Sequence, residues 1–376
     1  MMRLSKSFRL SATAAVVCFL PAAKAQADQL QVVASFSILK DMVEQVAGEA
    51  ATVTSLVGPD GDMHFFTPSP ADARTVKSAD LLVVNGLEFE GWIDRLIDAS
   101  GFEGTMVVAS DGIDVLVNEE DDHEDHDDHD DHDDHDDHED HEDHEDHEDH
   151  EDHEDHEDHE DHEDHDDHED HEDHEDHEDH DDHAEHEHGE FDPHAWQSLF
   201  RAAVYVDNIT AALSEAHPEA IASFSANAAA YRAQIMALDA ALKADFATID
   251  EHCTTVVTSH DAFTYFGADY GVTFVAPAGL STASEASAGD VAAIIKQIRD
   301  GGVSAAFVEN ITDNRLIDQI ASETNLSMGG ALYSGALSEA DGPAATYLDM
   351  MAHNGSQLLT ALRAADAAGL CADDHD

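Results

Sequence analysis

The chain has 376 residues, enough for about two domains at the usual ~100–200 residues each. It carries 86 acidic residues against 15 basic ones, a formal net charge of −71, and 47 of the acids lie in residues 119–190 beside 23 His and no Lys or Arg. Such an anionic surface repels phosphate backbones and acidic lipid headgroups, so nucleic acid and acidic membranes are excluded as partners and cations are favoured.

At the N-terminus Arg3, Lys6 and Arg9 precede an apolar stretch from Leu10 to Leu20, followed by small residues at Ala23, Ala25 and Ala27. This is the pattern of a cleavable export signal over residues 1–27, and it sets the expected compartment as the periplasm. Cys18 follows Val17, which is too large for a good lipidation box, so no lipid anchor is expected there. No later stretch reaches the length of a membrane-spanning helix. Two further cysteines remain, Cys253 and Cys371; in an oxidising compartment they are a reasonable disulfide pair, although a fold that keeps them apart would leave both reduced.

Along the mature chain, short apolar runs alternate with helical patterns. Leu30–Phe36, Thr52–Val57, Leu81–Asn85 and Met106–Ala109 read as buried strands, with helices at Ile38–Ala47, Ala71–Ser78 and Trp92–Ala99 between them. The rhythm returns at Thr254–Thr258, Val272–Ala276, Ala305–Glu309 and Gly330–Ser334, with helices at Ala262–Ala268, Ala288–Arg299, Asn314–Thr324 and Pro343–Ala365. Strand and helix in alternation predict an α/β protein with two lobes, each a mostly parallel sheet covered by helices. Between them Trp196–Ala216 reads as one helix and Glu219–Ile249 as a second, Ala-rich and free of internal Gly and Pro. The second would rise ~1.5 Å per residue, over ~40 Å in all, and is expected to be a rigid strut. The expected domains are therefore the signal peptide at 1–27, an N-terminal lobe at 28–217, a linking helix at 218–250 and a C-terminal lobe at 251–376.

Residues 119–190, inside the N-terminal lobe, form the most unusual segment. A His stands at every third position from His123, His126 and His129 through to His183, and His186 and His188 continue the theme. Two carboxylates fill each gap, so the run has no apolar surface to bury and is expected to be disordered when metal-free. Imidazole beside carboxylate suits zinc, copper and nickel, which makes the run an auxiliary loop holding several ions weakly. The competing reading is a tolerated low-complexity expansion. The period of three puts an acid four residues after each His, so the metalloprotease pattern H-E-x-x-H is not met.

Seven His lie outside the run. His64 follows the second strand, His194 precedes a helix, and His260 follows the first strand of the second lobe. Ligands of open α/β sheets bind beyond the carboxyl ends of strands, so these loops can face a cleft. One such His is ordinarily a surface or capping residue; three in an exported acidic protein point to a metal site. His217, His252, His353 and His375 lie at a helix end, beyond the strut, within a helix and in the polar tail, and carry no such implication.

Five segments carry a family resemblance: Gly58–Pro68 (GPDGDMHFFTP), Asp192–Trp196 (DPHAW), Ser259–Phe266 (SHDAFTYF), Phe307–Asn310 (FVEN) and Gly342–Asn354 (GPAATYLDMMAHN). With them the chain resembles, over nearly all of residues 28–370, the cluster 9 solute-binding proteins of ABC importers for zinc and manganese. The resemblance implies two lobes joined by a long helix, with His64 and His194 from the first and His260 from the second as metal ligands. A His at the third place, and an acidic His-rich insertion, are features of zinc members. Where many relatives carry an Asp as fourth ligand this chain has Gly335, which leaves the fourth position to water, to Asp62 or Asp341, or to an imidazole of the run.

The function expected from this is a periplasmic protein, monomeric and not an enzyme, that captures Zn²⁺ in an inter-lobe cleft and delivers it to an ABC permease with its ATPase. A periplasmic zinc chaperone is a further expected partner. The alternatives are a zinc buffer acting mainly through the run, a manganese-binding relative, and a zinc hydrolase, for which no positioned general base is evident.

Overall fold

A mostly apolar run, Leu30–Phe36, with Val32, Val33 and Phe36 favouring extended backbone, forms strand β1, buried at every position except Gln31. Burial on both faces is the mark of a parallel strand under helices. The structure is a computed structural model and describes residues 29–117, 191–284 and 286–371. The export signal, Cys18, the His-rich loop with His123, His126, His129, His183, His186 and His188, and His375 lie outside the described residues.

After β1 the first lobe continues through α1 (Ser37–Ala47), β2 (Ala51–Val57), α2 (Pro70–Lys77), β3 (Leu81–Val84), α3 (Ile93–Ser100) and β4 (Thr105–Val108). These strands form one sheet in the order β2-β1-β3-β4, all parallel. Helices α4 (Leu199–Ala216) and α5 (Ile221–Phe246) follow. The second lobe comprises β5 (Thr255–Val257), α6 (Thr264–Tyr270), β6 (Thr273–Val275), α7 (Ala288–Arg299), β7 (Ala305–Glu309), α8 (Arg315–Thr324), β8 (Met328–Leu332) and α9 (Tyr347–Ala367). Its parallel sheet has the order β6-β5-β7-β8. In each sheet the chain turns back beside its own first strand, so the strand order reverses between β1 and β3 in one lobe and between β5 and β7 in the other. Those reversals are where an open α/β sheet opens a crevice.

Helix α5 bridges the two lobes. Its buried residues Phe224, Ala228, Tyr231, Ile235, Asp239, Leu242 and Phe246 recur three or four apart and draw one stripe along its 26 residues. The first half of the stripe meets the first lobe, where Asn227 Nδ2 donates to Val46 O at 3.0 Å and the Tyr231 hydroxyl faces the Asp41 carboxylate. The second half meets the other lobe, where Tyr270 donates to Asp239 at 3.1 Å and Phe246 packs edge-on against Phe266. Helix α9 also spans both lobes. Its Tyr347 amide donates to Asp41 Oδ2 at 2.9 Å, and its Tyr347 hydroxyl donates to Trp196 O at 2.6 Å. A disulfide joins Cys253, just ahead of β5, to Cys371, just beyond α9.

Several element bounds differ from the sequence reading, among them α5, which spans Ile221–Phe246 rather than Glu219–Ile249, and α6, which starts at Thr264 rather than Ala262; three others have a clear local cause. The helix expected from Trp196 is a 3₁₀ turn at Ala195–Gln197 followed by α4, because Ser198 is extended and its hydroxyl accepts from Arg201 N as an N-cap. Helix α9 starts at Tyr347 rather than Pro343, since Thr346 caps it by accepting from Asp349 N. Strand β8 runs over Met328–Leu332, two residues earlier than expected, and meets β7 through a bulge at Gly330, whose φ of 110° suits glycine alone.

Candidate metal centre

Three imidazoles meet where the two lobes face each other. His64 comes from the loop between β2 and α2, which turns at Asp60 with φ 51° and is tied down where Asp62 Oδ1 accepts from His64 N at 2.9 Å. The same loop is pinned to the second lobe, since Asp60 N donates to Leu337 O at 2.8 Å and Thr282 donates to Asp62 Oδ2 at 2.7 Å. His194 stands at the head of the Ala195–Gln197 turn, and His260 stands three residues beyond β5. Ring centroids are 5.7 Å apart for His64 and His194, 5.6 Å for His64 and His260, and 5.5 Å for His194 and His260. One nitrogen from each of the three falls within 4.8 Å of the other two.

Two of these rings are held by carboxylates. Asp192 Oδ1 accepts from His194 N and lies 2.8 Å from His194 Nδ1. Glu309, the last residue of β7, places Oε2 2.7 Å from His260 Nδ1, while its Oε1 accepts from Ser259 N at 2.8 Å and His260 N at 3.0 Å. A carboxylate on Nδ1 fixes the tautomer and turns Nε2 toward the opposite side. Both Nε2 atoms are buried with no hydrogen-bond partner among the described residues, and the 2.7 Å contact of His260 Nδ1 with Glu309 Oε2 is an ion pair rather than an aligned hydrogen bond. The large majority of buried side-chain polar atoms in proteins are paired, so orphaned nitrogens on imidazole rings that converge within 4.8 Å are the chemistry of a cation site.

The electrostatics of the three rings differ. Burial, helped by the proximity of His194 and His260, pushes His64 down to about 2, so that it stays neutral and able to coordinate. At His260 burial opposes the charged ring, but the Glu309 carboxylate outweighs it and holds the imidazole above its ordinary value. Glu309 is drawn down in return, burial again opposing and His260 prevailing. Phe89 walls the cluster, its ring centroid 5.1 Å from His64 and 5.7 Å from His194, and Trp196 packs 5.2 Å behind His194.

The three His singled out in the sequence are thus brought together, and the other described His are not. His217 lies near Phe224, His353 Nε2 sits 3.0 Å from Ala331 O, and His252 is exposed beside Glu251. Neither Asp62 nor Asp341 joins the cluster: the first is occupied by Thr282 and the His64 amide, and the second is exposed. Gly335 is buried, and a Cβ there would lie 3.0 Å from the Ile311 side chain. Sequence reading missed Asp192 and Glu309 as the residues that aim the rings. Both lay in segments already singled out, and Glu309 ends the strand beside β5, where the strand order reverses.

Two parallel-sheet lobes with an imidazole cluster between them define a class of extracytoplasmic metal receptor. The chain belongs to the ZnuA family, described as zinc-uptake complex component A, periplasmic, whose model matches residues 32–361. The manganese-binding lipoprotein MntA of Halalkalibacterium halodurans is 26% identical over 325 residues, 86% of each chain. The iron-binding protein YfeA of Yersinia pestis is also 26% identical over 325 residues, 86% of this chain and 84% of its own. Among solved structures, the periplasmic zinc binding protein TroA from Treponema pallidum matches with a TM-score of 0.68 at 23% identity, covering 89% of this chain and 99% of that one, a likeness of fold. A relative named as a lipoprotein gives no support to the expectation that a lipid anchor is absent.

Proposed function

We propose that the protein captures Zn²⁺ with His64, His194 and His260 and delivers it to an ABC permease driven by its ATPase. The observation that carries this reading is the pair of buried, partnerless Nε2 atoms of His194 and His260, each backed by a carboxylate on Nδ1. The family's description as part of an uptake complex supports the transport role. Zinc is preferred because all three donors are imidazole nitrogens, whereas manganese is suited by carboxylate, carbonyl and water oxygens. The names of the manganese- and iron-binding relatives favour a second reading, in which the site takes a harder ion.

No fourth side chain among the described residues joins the cluster, which leaves a coordination position for water. In a carrier that position is useful, since an ion held by exchangeable as well as fixed ligands can leave when the lobes separate. Competition titration of the purified protein with a chromogenic chelator tests the assignment. His64→Ala, His194→Ala and His260→Ala should each strongly weaken the tight zinc site while leaving measurable binding, and His217→Ala should not weaken it. Three single variants that keep the tight site would refute the ligand set, and stronger retention of Mn²⁺ than Zn²⁺ by the unaltered protein would favour the second reading.

A further inference from the structure

The turn that carries His194 is gripped from both lobes. From the first lobe, Asn85 Nδ2 donates to Pro193 O at 3.0 Å, and Asn85 is itself fixed by the Tyr205 hydroxyl at 2.6 Å. From the second lobe, the hydroxyl of Tyr265 on α6 donates to Asp192 O at 2.8 Å. Successive carbonyls, immediately ahead of a candidate ligand, are thus held by opposite halves of the molecule.

Tyr265 does more than touch the turn. Val117 and Phe191 form an antiparallel bridge, and next to it Asp192 N donates to Leu116 O at 3.1 Å. The reciprocal bond of such a pair would run from Leu116 N to Asp192 O. Here the Tyr265 hydroxyl stands between them, accepting from Leu116 N at 3.1 Å while donating to Asp192 O. The ring is locked in turn, fully buried, with the Arg201 guanidinium 4.8 Å from its centroid. Arg201 donates from Nε to Asp114 O at 2.7 Å, two residues before Leu116 in the same segment. A second-lobe hydroxyl is therefore wedged between two first-lobe backbone segments, bonded to the carbonyl of Asp192, the residue whose carboxylate holds His194 Nδ1.

We propose that Tyr265 is a positioning residue through which the second lobe sets the orientation of His194, so that the tight metal site is complete only while the lobes are together. Separation of the lobes withdraws the hydroxyl, frees Asp192, and lets the His194 ring lose its aim without any direct contact between Tyr265 and the metal. This inference rests on His194 being a metal ligand.

The experiment is zinc competition titration of the full-length protein carrying Tyr265→Phe, alone and combined with His194→Ala or His64→Ala. Loss of a group that orients a metal-bound His ordinarily costs about 10- to 100-fold in affinity. We expect about a tenfold loss for Tyr265→Phe, mainly as faster dissociation, the same loss in the His64→Ala background, and none in the His194→Ala background. Tyr270→Phe is the control, because it removes a buried hydroxyl from the same helix, bonded to Asp239 and not to the ligand turn, and should leave affinity unchanged. If Tyr265→Phe binds zinc like the unaltered protein, or loses as much in the His194→Ala background, the positioning role is wrong. If His194→Ala alone keeps the tight site, the ligand assignment fails first and this inference falls with it.

Discussion

Glu309 and Asp192 decide how the three imidazoles present themselves, and their removal gives a prediction with a definite dependence on pH. Glu309→Gln should weaken zinc binding at pH ~8 by about 10- to 100-fold, because His260 loses the anion that fixes its Nδ1 proton. In the unaltered protein Glu309 also holds the metal-free His260 protonated above its ordinary value. Zinc must displace that proton, so affinity falls as pH drops through the raised value. The variant lacks this competition, and its deficit should shrink as pH falls toward ~5.5. Competition titrations of both proteins at the two pH values measure this, and a deficit that grows on acidification would contradict the assignment. The sequence revealed the three His because they stood at loop positions in distinct motifs. It hid the two carboxylates, because an acid near a His is unremarkable in a chain with 86 of them, and only packing tells which one faces a ring.

Helix α6 brings Tyr265 into place, and a single glycine lets it lie close to its neighbour. A Cβ on Gly267 would stand 2.4 Å from the carbonyl oxygen of Val272, a backbone atom with no room to swing aside. Gly267→Ala would gain about 1 kcal/mol of helix propensity in an open helix. In this setting the clash should prevail and cost about 1–3 kcal/mol net, read as a lower urea midpoint and accompanied by weaker zinc binding through the displaced Tyr265. An unchanged or higher midpoint would show that β6 yields easily. Elements such as β1 and α5 were legible because periodicity reflects burial: the α5 stripe at spacings of three and four is what a helix needs in order to touch two lobes. The break at Ser198 and the bulge at Gly330 were not, because each depends on a hydrogen bond or a register that no local pattern encodes.

At the level of the whole molecule, the Cys253–Cys371 bond fastens the end of α9 to the start of β5 across a separation of 118 residues. Closing a loop of that size contributes ~4–5 kcal/mol in the chain-entropy model. Cys253→Ala with Cys371→Ser should lower stability by about 2–5 kcal/mol in urea, and the unreduced, unfolded mature protein should titrate no free thiol from this pair. A second prediction concerns residues 119–190. Their removal should leave about one tight zinc ion per chain, since the three imidazoles of the cluster lie outside them, and should abolish weaker, acid-labile binding. Loss of the tight ion as well, measured as zinc stoichiometry against pH, would mean that the run supplies a necessary ligand and that buffering and capture are one activity. The bridge between Val117 and Phe191 makes this deletion feasible and has a wider consequence. The described residues that flank the tract, Val117 and Phe191, pair with each other, so the registers of the described strands and helices are set without reference to the number of His-acid-acid units between them. Tract length, and with it the metal capacity proposed for the run, can therefore change while the cluster of His64, His194 and His260 stays the same.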